Sequence, residues 1–169
     1  GLDFAKVEEH MIVLDASQST ELRENMKAFL DTLSYAIKKK DATITVIDSI
    51  TGLYEHKEML ARQIVRQVFN FLKKWKQTAL LVSQKRSSQG METAEAAGGL
   101  AVAHILDGTI VLEKKLITTR WDVRLYGLPL GSVLRLLRID GCRLAPHVSD
   151  NWVFGLPKEG LIDIKMSLQ

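Results

Sequence analysis

Two short apolar runs that each end in a polar residue stand on either side of one long amphipathic stretch, and this arrangement limits the fold more than any other feature. The runs are Ile44-Thr45-Val46-Ile47-Asp48 and Ala79-Leu80-Leu81-Val82-Ser83. Both have the length and composition of buried strands, the first being rich in β-branched residues. Between them, Leu60, Ile64, Val68, Phe71, Leu72 and Trp75 recur at helical spacing, with Arg62, Arg66, Lys73 and Lys74 on the outside. That spacing predicts one amphipathic helix from about Glu55 to Lys76, after a break at Gly52. Strand, helix and strand at these distances require a right-handed crossover between parallel strands.

The same pattern is expected once more upstream. Met11-Ile12-Val13-Leu14, closed by Asp15, reads as a first buried strand. Ser19 or Thr20 then caps a helix whose first turn carries Glu21 and Glu24. Its apolar face is Leu22, Met26, Phe29, Leu30, Leu33 and Ile37, and it stops at Lys38-Lys39-Lys40, where cations suit the negative end of the helix dipole. The expected architecture is a three-layer α/β domain, mainly a parallel sheet with helices on both faces.

Beyond Lys85 the pattern changes. Residues 85–99 are polar, small and glycine-containing and read as a loop, with a short helix about Ala94 to Ile105. Strands are expected at Thr109–Glu113, Val133–Ile139, Trp152–Leu156 and Leu161–Lys165, an antiparallel extension of the sheet. Leu116 to Gly131, with Trp121, Tyr126 and Pro129, reads as a hairpin or loop excursion. The 169 residues are therefore assigned to a single domain: a parallel core over 11–114, the excursion over 115–131, and C-terminal strands over 132–169.

Composition excludes several classes. Cys142 is the single cysteine, so no intramolecular disulfide can form. His10, His56, His104 and His147 lack metal-ligand spacing. There is no apolar run of about 18 residues and no signal pattern, so a cytoplasmic protein is expected. A net charge of +3 is a weak pull toward nucleic acid. Ser83, Ser87 and Ser88 have no His and Asp in a nucleophile context, and Trp75 and Phe71 belong to an apolar helix face.

Asp48 is the residue most suggestive of chemistry. A strand that ends in an acid delivers its carboxylate to the carboxyl edge of the sheet, where α/β proteins bind ligands. The plain alternative is an Asp that caps a turn after the strand. The neighbouring and later segments favour the first reading. Val46-Ile47-Asp48-Ser49-Ile50-Thr51, Leu80-Leu81-Val82-Ser83-Gln84, and the ungapped run from Leu100 through His104 and Asp107 to Glu113 together resemble the KaiC branch of the RecA superfamily of P-loop ATPases, over roughly Met11 to Lys165. The resemblance implies a RecA-like fold and a Walker B role for Asp48, which would hold Mg through water, with Ser49 beside the nucleotide. It also implies that Gln84 ends a sensor strand near the γ-phosphate, and that ATP and Mg are the cofactors of the intact domain.

The chain departs from that family's pattern in two places. No Gly-rich loop ending in Gly-Lys-Ser or Gly-Lys-Thr occurs, and Gly98-Gly99 is followed by Leu and Ala. In the resembled family that loop and the paired glutamates lie upstream of the strand expected at Met11; Glu8 and Glu9 precede a strand instead of following one, so they read as surface residues. The chain is thus expected to be truncated at the N-terminus, a piece of a longer product, as its start at Gly1 suggests, and to bind ATP weakly or not at all by itself. The neighbour-facing Lys-x-Arg-Gly segment is matched by Arg138-Ile139-Asp140-Gly141, where Asp140 replaces the arginine. Arg138, Arg143 and His147 are the candidates to reach a neighbouring subunit's nucleotide, or are ordinary strand residues.

Three functions are compatible with these residues: a nucleotide-binding ATPase segment that assembles with ATP between subunits, an inactive oligomerisation or regulatory module, or a DNA-binding recombinase-like protein using Lys85 and Arg86. Self-association is expected in the first two, through an apolar edge or face left open.

Overall fold

The computed structural model describes residues 4–54, 58–84, 104–158 and 160–168. The chain divides into two compact units, one running to Leu106 and the other starting at Asp107. No helix among the described residues is long and apolar enough to cross a membrane.

The first unit contains a one-turn helix α1 (Phe4–Val7), α2 (Thr20–Glu24), α3 (Met26–Lys40), β1 (Ile44–Asp48), α4 (Ala61–Lys74) and β2 (Thr78–Val82). The expected strand at 11–14 is not formed. Met11, Val13 and Leu14 are exposed, and among the described residues no neighbouring strand accepts their hydrogen bonds. An extended segment without a partner is not a strand. Ser19 caps α2 as anticipated, its Oγ accepting from the Leu22 amide at 3.3 Å. The single helix expected over 20–40 is broken, however, at Asn25. Its side-chain oxygen accepts from the amides of Lys27 and Ala28 at 3.1 and 3.2 Å, starting a second helix there. A side chain that satisfies orphan amides competes with the continuing helix. Asp41, in the left-handed conformation, ends α3 beside the three lysines.

β1 and β2 pair in parallel, Ile44 beside Thr78 through Asp48 beside Val82. The strand–helix–strand reading is therefore realised, with the helix starting at Ala61 after a 3-10 turn at Glu58–Leu60. Leu33 and Ile37 of α3, Ile64, Val65, Val68 and Leu72 of α4, and Ile50, Leu53 and Tyr54 from the turn after β1 form one buried cluster. Ile47, Ala79 and Leu81 pack against it, while Ile44, Val46, Leu80 and Val82 on the opposite face of the pair are exposed. Val65 completes the helix face, while Leu60, assigned to that face by spacing, is exposed because it lies on the turn before the helix.

The second unit is a four-stranded antiparallel sheet in chain order: β3 (Gly108–Leu116), β4 (Val133–Cys142), β5 (Asn151–Gly155) and β6 (Asp163–Leu168). The residues at 108–116 thus pair antiparallel with β4 and group with the C-terminal strands, rather than continuing a parallel core to 114. The excursion expected at 115–131 includes a helix, α5 (Arg120–Tyr126). Thr119 and Asp122 form a reciprocal capping box, and Gly127 at φ +65° ends the helix. Only glycine takes that left-handed conformation without cost, so the helix stops there. Asp122 is buried and also meets Lys115 Nζ at 2.8 Å, while the same ammonium lies 4.9 Å over the Tyr126 ring. The salt bridge ties α5 to β3.

These contacts set measurable stabilities. Leu72→Ala, which empties a fully packed position of α4, is expected to cost about 3 kcal/mol in chemical denaturation. Thr119→Ala should cost about 1 kcal/mol by removing the cap. The Lys115 ammonium and then Thr119 hold the Asp122 carboxyl down at about 2, from an ordinary 3.8. A depressed carboxylate contributes stability that is fully present above its unfolded value and lost as pH falls through the folded one. Acid denaturation of the β-rich unit should therefore steepen between about pH 4 and pH 2, with the Asp122 carboxyl carbon titrating near 2 by NMR. A titration midpoint near 4 would dissolve this assignment.

Candidate functional site

The parallel register brings the carboxyl ends of β1 and β2 level, since Asp48 lies beside Val82. Side chains alternate along a strand, so Asp48 shares the exposed face of Ile44 and Val46, while Thr45 and Ile47 face the core. The carboxylate stands at the edge of the sheet, accessible to solvent. The chain then passes through a cis peptide between Asp48 and Ser49 into a 3-10 turn at Ile50–Leu53. Ile50, Leu53 and Tyr54 are sunk into the core, each at most 8% exposed, and so anchor the turn that follows the acid. The Gly52 amide donates to the Ser49 carbonyl at 3.2 Å, closing the turn.

Thr51 Oγ1 and Ser83 Oγ lie 3.2 Å apart, linking this turn to the residue after β2. Gln84 comes next, exposed at the same edge. Asp48, Ser49, Thr51, Ser83 and Gln84 are thus gathered at one end of the parallel pair. Thr51 and Ser83 received no role from sequence patterning. The signal was available in the two strand endings: once Asp48 and Val82 are aligned, the hydroxyls that follow each strand fall together. The edge offers a carboxylate, three hydroxyls and an amide oxygen, all hard donors of the kind magnesium takes. Among the described residues no group of three His, Cys, Asp or Glu could chelate a metal alone.

Arg138 and Asp140 belong to β4 of the second unit, and Arg143 and His147 come after it. Arg138 is half-buried, its Nη2 donating to Asp140 Oδ1 at 2.9 Å. The acid that stands where the resemblance expected an arginine is therefore the partner of Arg138, two residues along the same strand. The Arg143 backbone amide donates to the Asp107 carbonyl at 2.8 Å, while its side chain and that of His147 are exposed. Glu8 and Glu9 lie exposed on a 3-10 turn, in keeping with their reading as surface residues. Lys85, Arg86 and Gly98-Gly99 lie outside the described residues.

The model of the KaiC ATPase family matches residues 1–169. A UPF0273 protein of Pyrococcus horikoshii is 34% identical over 113 residues, which are 67% of this chain and 41% of that protein. A UPF0273 protein of Saccharolobus solfataricus is 34% identical over 105 residues, 62% of this chain and 33% of that protein. The chain therefore spans about a third to two fifths of the length of these curated relatives. The crystal structure of a KaiC-like protein from Pyrococcus horikoshii superposes with a TM-score of 0.69 at 20% identity, covering 97% of this chain and 65% of that one. A likeness at that identity shows the fold, an α/β arrangement of the RecA type. With a parallel pair that delivers an acid to its carboxyl edge, and a family model that matches from the first residue to the last, this chain belongs to the KaiC family of ATPases.

Proposed function

We propose that the carboxyl edge of β1 and β2 is the metal-facing half of an ATP site, completed by residues outside these 169. The observation that carries this reading is the placement of Asp48, an exposed carboxylate at the end of a parallel strand, with Ser49, Thr51, Ser83 and Gln84 around it. In this reading Asp48 orients a magnesium ion through water, and Ser49 lies beside the nucleotide. Gln84, exposed after β2, is assigned in the same reading to a terminal phosphate. Bound magnesium would neutralise phosphate charge; the chain's own part is to hold the carboxylate still, through the buried anchors Ile50, Leu53 and Tyr54. The Thr51–Ser83 contact fixes the spacing between the two strand ends.

The same reading gives Arg138, Arg143 and His147 the task of contacting nucleotide on a neighbouring subunit. A guanidinium suits that task because it stays charged and presents several donors. Asp140 would then act as a positioning residue that holds the Arg138 fork.

A second reading, assembly without catalysis, is favoured by the open face of the parallel pair. Ile44 is 65% exposed and Val46 and Leu80 are each 57% exposed, which is unusual for strands of this composition. Contiguous exposed apolar surface marks an interaction site.

Three experiments separate these readings. On the 169-residue chain alone, calorimetry should give a Kd for MgATP weaker than about 1 mM, because one carboxylate without a phosphate cradle supplies little affinity. On the longest product of the gene, Asp48→Asn should lower ATP turnover by about 100-fold, the scale of losing one group aimed at developing charge. Unchanged turnover in that variant would remove Asp48 from the site. For assembly, sedimentation velocity should show concentration-dependent association that Val46→Glu with Leu80→Glu abolishes; a wild-type chain that stays monomeric at high concentration argues against it.

A further inference from the structure

The end of the first unit opposite Asp48 carries a second feature, a concentration of positive charge that the nucleotide reading leaves unused. α3 ends in Lys38, Lys39 and Lys40, and α4 ends in Lys73 and Lys74, with Lys76 just beyond. The segments after these two helix ends are held side by side. Gln77 Nε2 donates to the carbonyls of Ala42 at 2.8 Å and Trp75 at 3.1 Å, and its Oε1 accepts from Thr45 Oγ1 at 2.9 Å. The Thr78 amide donates to the Thr43 carbonyl at 2.9 Å. Lys38 Nζ lies 5.3 Å above the ring of Trp75, so a cation from one helix rests on the residue that ends the other. Six lysines collect here, and Asp41 is the one acid within the two segments. That local excess is larger than the +3 of the whole chain, so the remaining residues are net acidic. The charge is concentrated instead of spread.

We propose that this amino-terminal edge of the parallel pair docks the phosphodiester backbone of a nucleic-acid duplex. Helix dipoles explain cations in the last turn of each helix but not beyond it. Lys76 lies past the end of α4 at φ +52°, a left-handed conformation in which Gly or Asn is the usual residue. Its charge has no local structural explanation. The two segments contain lysine and no arginine, so they offer compact point charges that can meet phosphate oxygens without a bidentate geometry.

The rings argue for a duplex. Single strands are held by stacking on open aromatic faces. Here Trp75 and Phe69 are half-buried, with Lys38 and Lys73 at 5.3 and 5.0 Å over them. Tyr35, the exposed ring, lies under Lys39 at 5.7 Å. Trp75 and Phe69, half-buried beneath lysines, are not free to insert into a lipid interface either. Lys40 donates to the Glu9 carbonyl at 2.7 Å, leaving two of its N–H groups for a phosphate. The contacts are to backbone, so binding is independent of sequence. This proposal uses none of the residues assigned to the nucleotide.

The test is fluorescence anisotropy of the full 169-residue chain with a labelled DNA duplex of about 20 base pairs and arbitrary sequence, between about 50 and 200 mM NaCl. About five phosphate contacts give a log–log slope near −4.5, a loss of affinity of about 500-fold over that range. Lys38→Gln/Lys39→Gln/Lys40→Gln and Lys73→Gln/Lys74→Gln/Lys76→Gln should each flatten the slope by about two to three. Lys114→Gln/Lys158→Gln, which removes two charges elsewhere, should leave it unaltered. If a triple variant loses the thermal transition of the parent, Lys39→Gln and Lys74→Gln take its place, each expected to flatten the slope by about one. No duplex binding at about 50 mM salt, an unchanged slope in the patch variants, or tighter binding to phosphatidylserine vesicles than to duplex would each overturn the proposal.

Discussion

The hydrogen-bonded register between β1 and β2 is the constraint on which the rest of the first unit hangs. Parallel neighbours cannot be joined by a tight turn, so the chain must leave the sheet at Asp48, cross it, and return at Thr78. The crossover is stable because α4 presents Ile64, Val65, Val68 and Leu72 to Leu33 and Ile37 of α3 and to Ile47, Ala79 and Leu81 of the strands. Four buried aliphatic side chains on one helix contribute on the order of 6–12 kcal/mol before entropy is subtracted. Without that contact the two strands would have no reason to stay in register, and neither edge of the pair would be defined.

Both edges owe their chemistry to this arrangement. At the carboxyl edge the outgoing turn is pinned by Ile50, Leu53 and Tyr54, and the Thr51–Ser83 contact joins it to the end of β2. At the amino edge Gln77 bridges the incoming segments, and Thr45, buried, completes the knot. A buried hydroxyl without a partner would be costly, so the Thr45–Gln77 bond both satisfies the core and fixes the approach of the lysine-bearing ends. The side-chain hydrogen bonds that join the two strands thus fall at the two ends of the pair.

The second unit obeys a different rule. Its strands follow one another in chain order and pair antiparallel, so no crossover is needed and the long β3–β4 hairpin can carry a helix in its connection. α5 holds its place through charge more than through apolar area. Asp122 serves as capping-box residue to Thr119 and as partner to Lys115. Further along β4, the Arg138–Asp140 pair shows how a charge that looks foreign to a family pattern can be an internal partner.

Local patterning specified the strand at 44–48, the strand formed at 78–82 one position before its expected place, the helix between them, the β-rich C-terminal third and the position of Asp48. Each of these rests on a local period or on composition, and a period is read without knowing any neighbour. The break at Asn25 and the helix at Arg120–Tyr126 were also written locally, as a side-chain cap and a Thr-x-x-Asp box followed by glycine, but an apolar period masked the first and an expectation of loop the second. Tertiary structure alone decided the rest. Met11–Leu14 has the composition of a strand and is not one among the described residues, because a strand exists only where another accepts its hydrogen bonds. The meeting of Thr51 with Ser83, and of Lys38 with Trp75, depends on the register of residues more than thirty positions apart in the chain. Sequence periodicity is blind to such pairs, since register is set by packing between elements and not within them.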